Sequence, residues 1–240
     1  LWEGCIRHDW TAAQLAAVQG QLAQVDLFAV HTNAVRRVTL AHVACWRAMA
    51  EDSRAPMSVP NARGGFTSNA GWQWQPRAWW YDRCLQLYRT SQHAIERVDA
   101  AGERLRWDQQ WGELRGLSLD EWVEQLIEPY PYMVSAMPDP TVLLCVKTML
   151  NQALLAVALE RYWVAHGKYP ETLGALVPAY LDRIPHDVVT GRDMLYQRLS
   201  DAQYMLRSVG PDGNDDRQKK SSDDWLWAWP TNAGPAVIAP

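Results

Sequence analysis

Runs of basic charge are missing from this 240-residue chain: no Lys/Arg block exceeds the pairs Arg36-Arg37 and Lys219-Lys220, and the net charge is −4. Nucleic-acid binding needs a basic stripe, so that class of partner is set aside. Metal-ligand and redox spacings are also missing. The four cysteines, Cys5, Cys45, Cys84 and Cys145, lie 40, 39 and 61 positions apart with no CxxC, which disfavours a zinc site. No HExxH, GxSxG or Walker pattern is found, and acids such as Glu121 and Glu124 read as outer-face helix charges rather than a catalytic pair. The expectation is therefore a protein that is not an enzyme. The longest apolar runs, 10 to 25 and 148 to 159, are broken by Gln, Asn or Thr and fall short of the ~18 to 20 residues of a membrane span. The chain opens at Leu1 with neither Met nor a signal sequence, as expected if a leader or anchor has been removed or the sequence is part of a longer protein.

Phenylalanine is scarce too, 2 against 14 Trp, so Trp is expected to fill core positions that Phe usually takes. At 48% hydrophobic the chain can bury a core as one large or two small domains.

Periodicity places most elements. Residues 9 to 26 read as a helix, with Thr11 and Gln14 at capping-box spacing and Leu15, Val18, Leu22 and Val25 inward. The run 27 to 51 keeps the helical period through Leu27, Val30, Ala34, Val38, Ala41 and Cys45. From 52 to 76 Gly, Pro, Ser and Asn predict a loop without regular structure. That loop leads into the densest aromatic cluster of the chain, Trp72, Trp74, Trp79, Trp80 and Tyr81. The cluster reads as a hydrophobic plug anchoring the loop, with a glycan- or peptide-binding surface as the alternative. Helices are expected again at 77 to 100, with Leu85, Tyr88, Ile95 and Val98 inward, and at 119 to 127 behind the Ser118/Glu121 capping box. Four Pro between 129 and 140 mark a domain boundary. After it, 141 to 165 predicts a helix with more than one apolar face, closed by Gly167 and followed by a short helix at 171 to 177. Alternating segments at 194 to 199 and 203 to 208 predict a hairpin, and 224 to 229 a third strand. The helix is expected to set its Leu154, Val157 and Tyr162 side against this sheet. The fold class is thus α+β and mostly α: a helical region at 1 to 140, then a long helix on a small antiparallel sheet at 141 to 230, and a tail at 231 to 240.

Between the last two strands lie five aspartates within 13 residues: Asp212, Asp215, Asp216, Asp223 and Asp224. Asp212, Asn214, Asp216 and Asp223 fall at positions 1, 3, 5 and 12 of a twelve-residue frame, the oxygen spacing of a calcium loop. Arg217 stands where an EF-hand has its turn Gly, and the flanks read as strands. Like charges this dense need a hard cation or basic neighbours. Bound calcium and a turn compensated by Arg217, Lys219 and Lys220 are both open.

In order and spacing, Ala158, Leu159, Glu160, Tyr162, Gly167, Tyr169, Pro170, Pro185, Asp187, Gly191, Tyr196, Ser208, Gly210, Asp212, Gly213, Asp224 and Trp227 resemble the periplasmic domain of type II secretion major pseudopilins. The resemblance covers roughly 148 to 230. The segment in front departs from it, because pseudopilins begin with a processed apolar helix and this chain carries about 140 other residues there. The whole is similar to a larger set of bacterial envelope proteins that place a helical region, beginning with a stretch like residues 8 to 26, before a pseudopilin-like tail. The resemblance implies that Asp212 and Asp224 hold calcium together with backbone carbonyls, pinning the last strand. It implies a periplasmic or cell-envelope location, with membrane contact only through a segment outside this chain. It also implies a non-catalytic structural or assembly role, with the tail docking on like subunits or a larger complex. In that oxidising setting one or two disulfides are open; otherwise the thiols read as small buried side chains.

Overall fold

A computed structural model of the protein describes residues 2–51, 58–60, 66–68, 76–102, 104–106, 140–210 and 225–228. The chain is mixed helix and sheet, mostly helical. It divides into two compact units: unit 1 comprises Leu1–Leu27, Asp99–Leu105 and Thr141–Pro240, and unit 2 comprises Phe28–Val98 and Arg106–Pro140. The first 27 residues thus group with the C-terminal part, where the sequence had placed them in a region ending at 140. The reason lies in long-range side-chain bonds within unit 1, which no local pattern encodes.

Unit 1 opens with helices α1 (Trp2–Arg7) and α2 (Ala12–Ala23). Thr11 caps α2: its hydroxyl accepts from the Gln14 N–H at 3.3 Å, and the Gln14 side-chain oxygen accepts from the Thr11 N–H at 3.0 Å. Two otherwise orphaned donors are satisfied reciprocally, which sets the start of the helix. The largest helix of this unit, Pro140–His166, is numbered α5 in the order below. Pro140 stands at its first position, where the missing N–H costs nothing. Gly167, at φ 69°, closes it by donating its N–H to the Trp163 carbonyl at 2.7 Å. A left-handed residue there is cheap only for glycine.

After α5 comes a 3₁₀ turn, Leu173–Leu176, in place of the short helix expected at 171 to 177. Three antiparallel strands follow, β5 (Leu195–Ser200), β6 (Gln203–Ser208) and β7 (Trp225–Ala228), in spatial order β5-β6-β7. Register partners Tyr196, Leu206 and Trp227 form one lateral row, and all three pack into the core of the unit. The alternate row is Leu195, Arg207 and Leu226; its two leucines on the outer strands are exposed, whereas Arg207 on the central strand is buried at 8% exposure. From α5 the core takes Leu155, Ala158 and Leu159, with Tyr162 and Trp163 beside them. This corrects the expected Leu154/Val157/Tyr162 face. Leu154 instead lines a cleft, and Val157, though fully buried, lies outside this cluster.

One sequence expectation about membranes is also corrected. Val142–His166 is a helix of 25 residues with mean hydropathy 1.9 in its most apolar window, long and apolar enough to cross a bilayer. Single polar residues interrupt the apolar runs but scarcely lower the average. Since 61% of that window is buried and Thr148, Asn151, Gln152 and Glu160 lie on buried faces, its packing is that of a core helix.

Unit 2 is built on α3 (Leu27–Glu51) and α4 (Arg77–Glu96). Its core holds Trp46, Ala50, Trp80 and Leu87, with Val43, Cys45, Trp79 and Cys84 packed around them. The inward faces differ from those expected. On α3 the buried positions are Phe28, His31, Val35, Thr39, Trp46 and Ala50, each shifted from the anticipated stripe. On α4 Trp80, Leu87 and Ser91 are buried, whereas Leu85 and Tyr88 are exposed. Both helices carry two apolar stripes, and the one bearing the bulkiest side chain, Trp46 or Trp80, turns inward because it removes most apolar area from water. Between the helices the expected loop contains two short strands, β1 (Ser58–Pro60) and β2 (Phe66–Ser68), paired antiparallel with Val59 opposite Thr67. This corrects the expectation of 52 to 76 as wholly irregular. Helix α4 ends at Glu96, short of 100; the two-residue strands β3 (Val98–Asp99) and β4 (Arg104–Leu105) follow in the chain, and from Asp99 to Leu105 the residues belong to unit 1. The helix expected at 119 to 127 lies outside the described residues.

Candidate functional site

The Asp cluster comes first among the anticipated sites. Asp212, Asp215, Asp216, Asp223 and Asp224 all lie outside the described residues. What is described is the framework at their two ends. Ser208 at the end of β6 pairs with Trp225 at the start of β7, so the segment carrying the aspartates leaves and re-enters the sheet at one point. Gly210, at φ 67°, supplies a left-handed turn on the exit side.

Upstream, Asp187 fastens the same corner. Its buried carboxylate accepts from the N–H groups of Val189 at 2.8 Å, Thr190 at 3.0 Å and Val209 at 3.3 Å. The first two bonds make a tight turn, and the third ties that turn to the residue after β6. Gly191, at φ 70°, completes the turn by donating to the Asp187 carbonyl at 2.8 Å, and a Cβ there would meet Arg104 Cδ at 3.1 Å. The Asp187 and Gly191 of the sequence pattern thus form a structural clamp.

A second buried carboxylate, Glu160 on α5, is a hub that the sequence did not reveal. Its Oε1 lies 2.7 Å from His8 Nδ1, and its Oε2 accepts from the Tyr169 hydroxyl at 2.9 Å. The His8 ring stacks on Trp163 at 3.6 Å, with 8° between the planes. Positions 8 and 160 are joined only by the tertiary fold, so no local signal could have found the pair. Burial, and then the Glu160 charge, push the Cys5 thiol up to about 12. Burial likewise raises the Tyr169 and Tyr204 phenols above their ordinary range. These groups stay neutral and pack as core; a nucleophile needs the opposite shift.

The aromatic cluster, expected as a plug with a binding surface as the alternative, is only partly described. Trp72 and Trp74 lie outside the described residues, and Trp79, Trp80 and Tyr81 sit on the first turns of α4. Trp80 is 2% exposed, half-buried Trp79 meets it edge-on at 4.8 Å and 88°, and the Arg83 guanidinium lies 5.3 Å from the Trp79 ring centre. A sugar ring needs a flat exposed aromatic face; these two indoles are perpendicular and one is buried. Tyr81 alone of the three is well exposed.

One cleft in unit 1, about 340 Å³, lies between α2, α5 and the segment 178 to 185, with Gln19, Asn151, Leu154 and Tyr180 among its walls. Gln19 Nε2 donates to the Tyr180 carbonyl at 2.5 Å, and Arg161 Nη1 donates to Gln19 Oε1 at 2.7 Å, which fixes one wall. Asn151 Nδ2 donates to the His186 carbonyl at 2.8 Å, while its buried Oδ1 accepts from no described group. Asp182 is the one carboxylate among the described residues of the lining.

Comparison with known families, with characterised proteins and with solved structures returns no match to this chain.

Proposed function

We propose that this protein is a non-catalytic structural subunit of the bacterial cell envelope, and that its pseudopilin-like unit docks on like subunits through the outer face of its sheet. The observation that carries this reading is the row Leu195, Arg207, Leu226, in which exposed leucines on the outer strands flank a buried arginine. Its two leucines point away from the core and are 37% and 45% exposed, and Leu199, 48% exposed, extends the patch toward the hairpin end. Strands β5 and β7 flank β6 as the edges of the sheet among the described residues, so apolar side chains sit beside open backbone groups. Such an edge favours association with another chain. The sequence resemblance supplies the location and the subunit role. The rival reading, a glycan- or peptide-binding module, has weaker support in the perpendicular Trp79/Trp80 pair. Leu226→Asp places a charge at an exposed position of the outer strand β7, and it is expected to abolish self-association that Tyr88→Asp, on an exposed face of unit 2, leaves intact.

Calcium belongs to the same proposal. Asp212 and Asp224, helped by Asp215, Asp216 or Asp223, are proposed to hold the ion where β6 hands over to β7. A ligand bound only to the native state at about 100 times its Kd stabilises by roughly 2.7 kcal/mol. Millimolar calcium should therefore raise the melting temperature of chelator-treated protein, and Asp212→Ala should remove the effect. An identical melt with and without calcium favours the turn compensated by Arg217, Lys219 and Lys220.

A further inference from the structure

Within unit 2, helices α3 and α4 run antiparallel in a definite register. Thr39 Oγ1 donates to Ser91 Oγ at 2.6 Å, Cys84 Sγ lies 3.9 Å from the Val43 carbonyl oxygen, and Arg77 Nη2 donates to the Glu51 carbonyl at 3.2 Å. As the α3 partner advances from 39 through 43 to 51, the α4 partner retreats from 91 through 84 to 77. This register sets Cys45 opposite Cys84. Both thiols are free and half-buried, and both pack against the cluster of Trp46, Ala50, Trp80 and Leu87. Burial holds each thiol above its ordinary range, and the Cys84 sulfur is close enough to push Cys45 further the same way.

From this juxtaposition we infer that Cys45 and Cys84 are a dithiol pair that closes to an interhelical disulfide, stapling α3 to α4. The inference rests on the helix register alone, independent of the envelope reading. Packed helices have axes roughly 8–10 Å apart, which leaves facing Cα atoms near the roughly 4.4–6.8 Å a disulfide requires. Cys5 and Cys145 belong to unit 1 and have no such counterpart thiol among the described residues; Cys145 Sγ lies 3.9 Å from the Met149 sulfur of its own helix. The oxidant is a second disulfide. One cysteine thiolate attacks it to give a mixed disulfide and release a thiol. The other cysteine thiolate then attacks the protein sulfur of that mixed disulfide and expels the second thiol. Two cysteine thiols lose two protons and two electrons, and the oxidant disulfide becomes two thiols. Buried, neutral thiols make the exchange slow, as befits a structural cross-link rather than a rapid sensor. Closing a loop across 39 positions should raise the unfolding midpoint of unit 2 by roughly 10–20 °C.

The test is to incubate the full chain with oxidised glutathione at mildly alkaline pH and count thiols while the fold is monitored by circular dichroism. The expected result is a fall from four free thiols to two and a proteolytic fragment joining the Cys45 and Cys84 peptides, lighter than their sum by two hydrogens. Cys45→Ser and Cys84→Ser should each prevent that fragment, whereas Cys5→Ser and Cys145→Ser should retain it. Four thiols persisting after prolonged exposure, glutathione adducts resting singly on Cys45 and Cys84, or a cross-link through Cys5 or Cys145 would each overturn the inference.

Discussion

Replacing Trp80 with Ala is expected to lower the stability of unit 2 by about 4 kcal/mol, within the roughly 3–5 kcal/mol found when a buried large aromatic is truncated. Trp80 is 2% exposed and packs with Trp46, Ala50 and Leu87, so its loss opens a void between α3 and α4. Neighbours on rigid helices collapse into such a void only in part, and the lost dispersion contacts add to the lost transfer energy. Denaturant unfolding followed by far-UV circular dichroism measures the effect. The same substitution separates the two readings of the aromatic cluster. A core Trp gives a large loss of stability. An unchanged unfolding curve together with loss of glycan or peptide binding would assign the cluster to recognition.

Raising the pH should destabilise unit 1 more steeply than an ordinary protein. Cys5, Tyr169 and Tyr204 are each buried, and burial is the first cause holding each group's folded pKa above its ordinary value. Here the folded state keeps protons that the unfolded chain has released. Their contribution is therefore fully present below the unfolded pKa, and it is lost as pH rises through about 9 for the thiol and 10 for the phenols toward the folded values. Each such group removes about 1.4 kcal/mol per pH unit in that window. By pH 11 the three together remove on the order of 5 kcal/mol, comparable to the whole stability of a marginal domain. Unfolding and phenol ionisation should then coincide in one cooperative transition between roughly pH 10 and 11. Smooth ionisation of every tyrosine near pH 10 with the fold intact would contradict the buried placement of Tyr169 and Tyr204.

The legibility of the chain varied with the range of the interaction. Thr11 with Gln14, Gly167, and the alternation through Tyr196, Tyr204 and Leu206 are local devices, and each element they predicted is present close to its expected bounds. The orientation of α3 and α4 was not legible, because apolar residues occupy two faces of each helix. Only the volumes of Trp46 and Trp80 inside a common core decide which face turns in. The strands β1 and β2 hid in a Gly/Pro-rich stretch whose composition says loop, since pairing three residues on each side overrides weak propensity. Asp187 was visible as part of a motif, but its role in bonding Val209 depends on chain segments that meet only after folding. His8 with Glu160 is the extreme case, two residues 152 positions apart joined in one network.

The central claim is that unit 1 associates with like subunits through the row Leu195, Arg207, Leu226 and the patch around it. Sedimentation velocity of the purified chain over a wide concentration range measures this directly, with Leu195→Asp and Leu226→Asp beside the parent. The account predicts a reversible, concentration-dependent increase in mass for the parent and a single monomeric species for both variants, all three equally folded by circular dichroism. A parent that stays monomeric at every concentration, or variants that associate as it does, would contradict it.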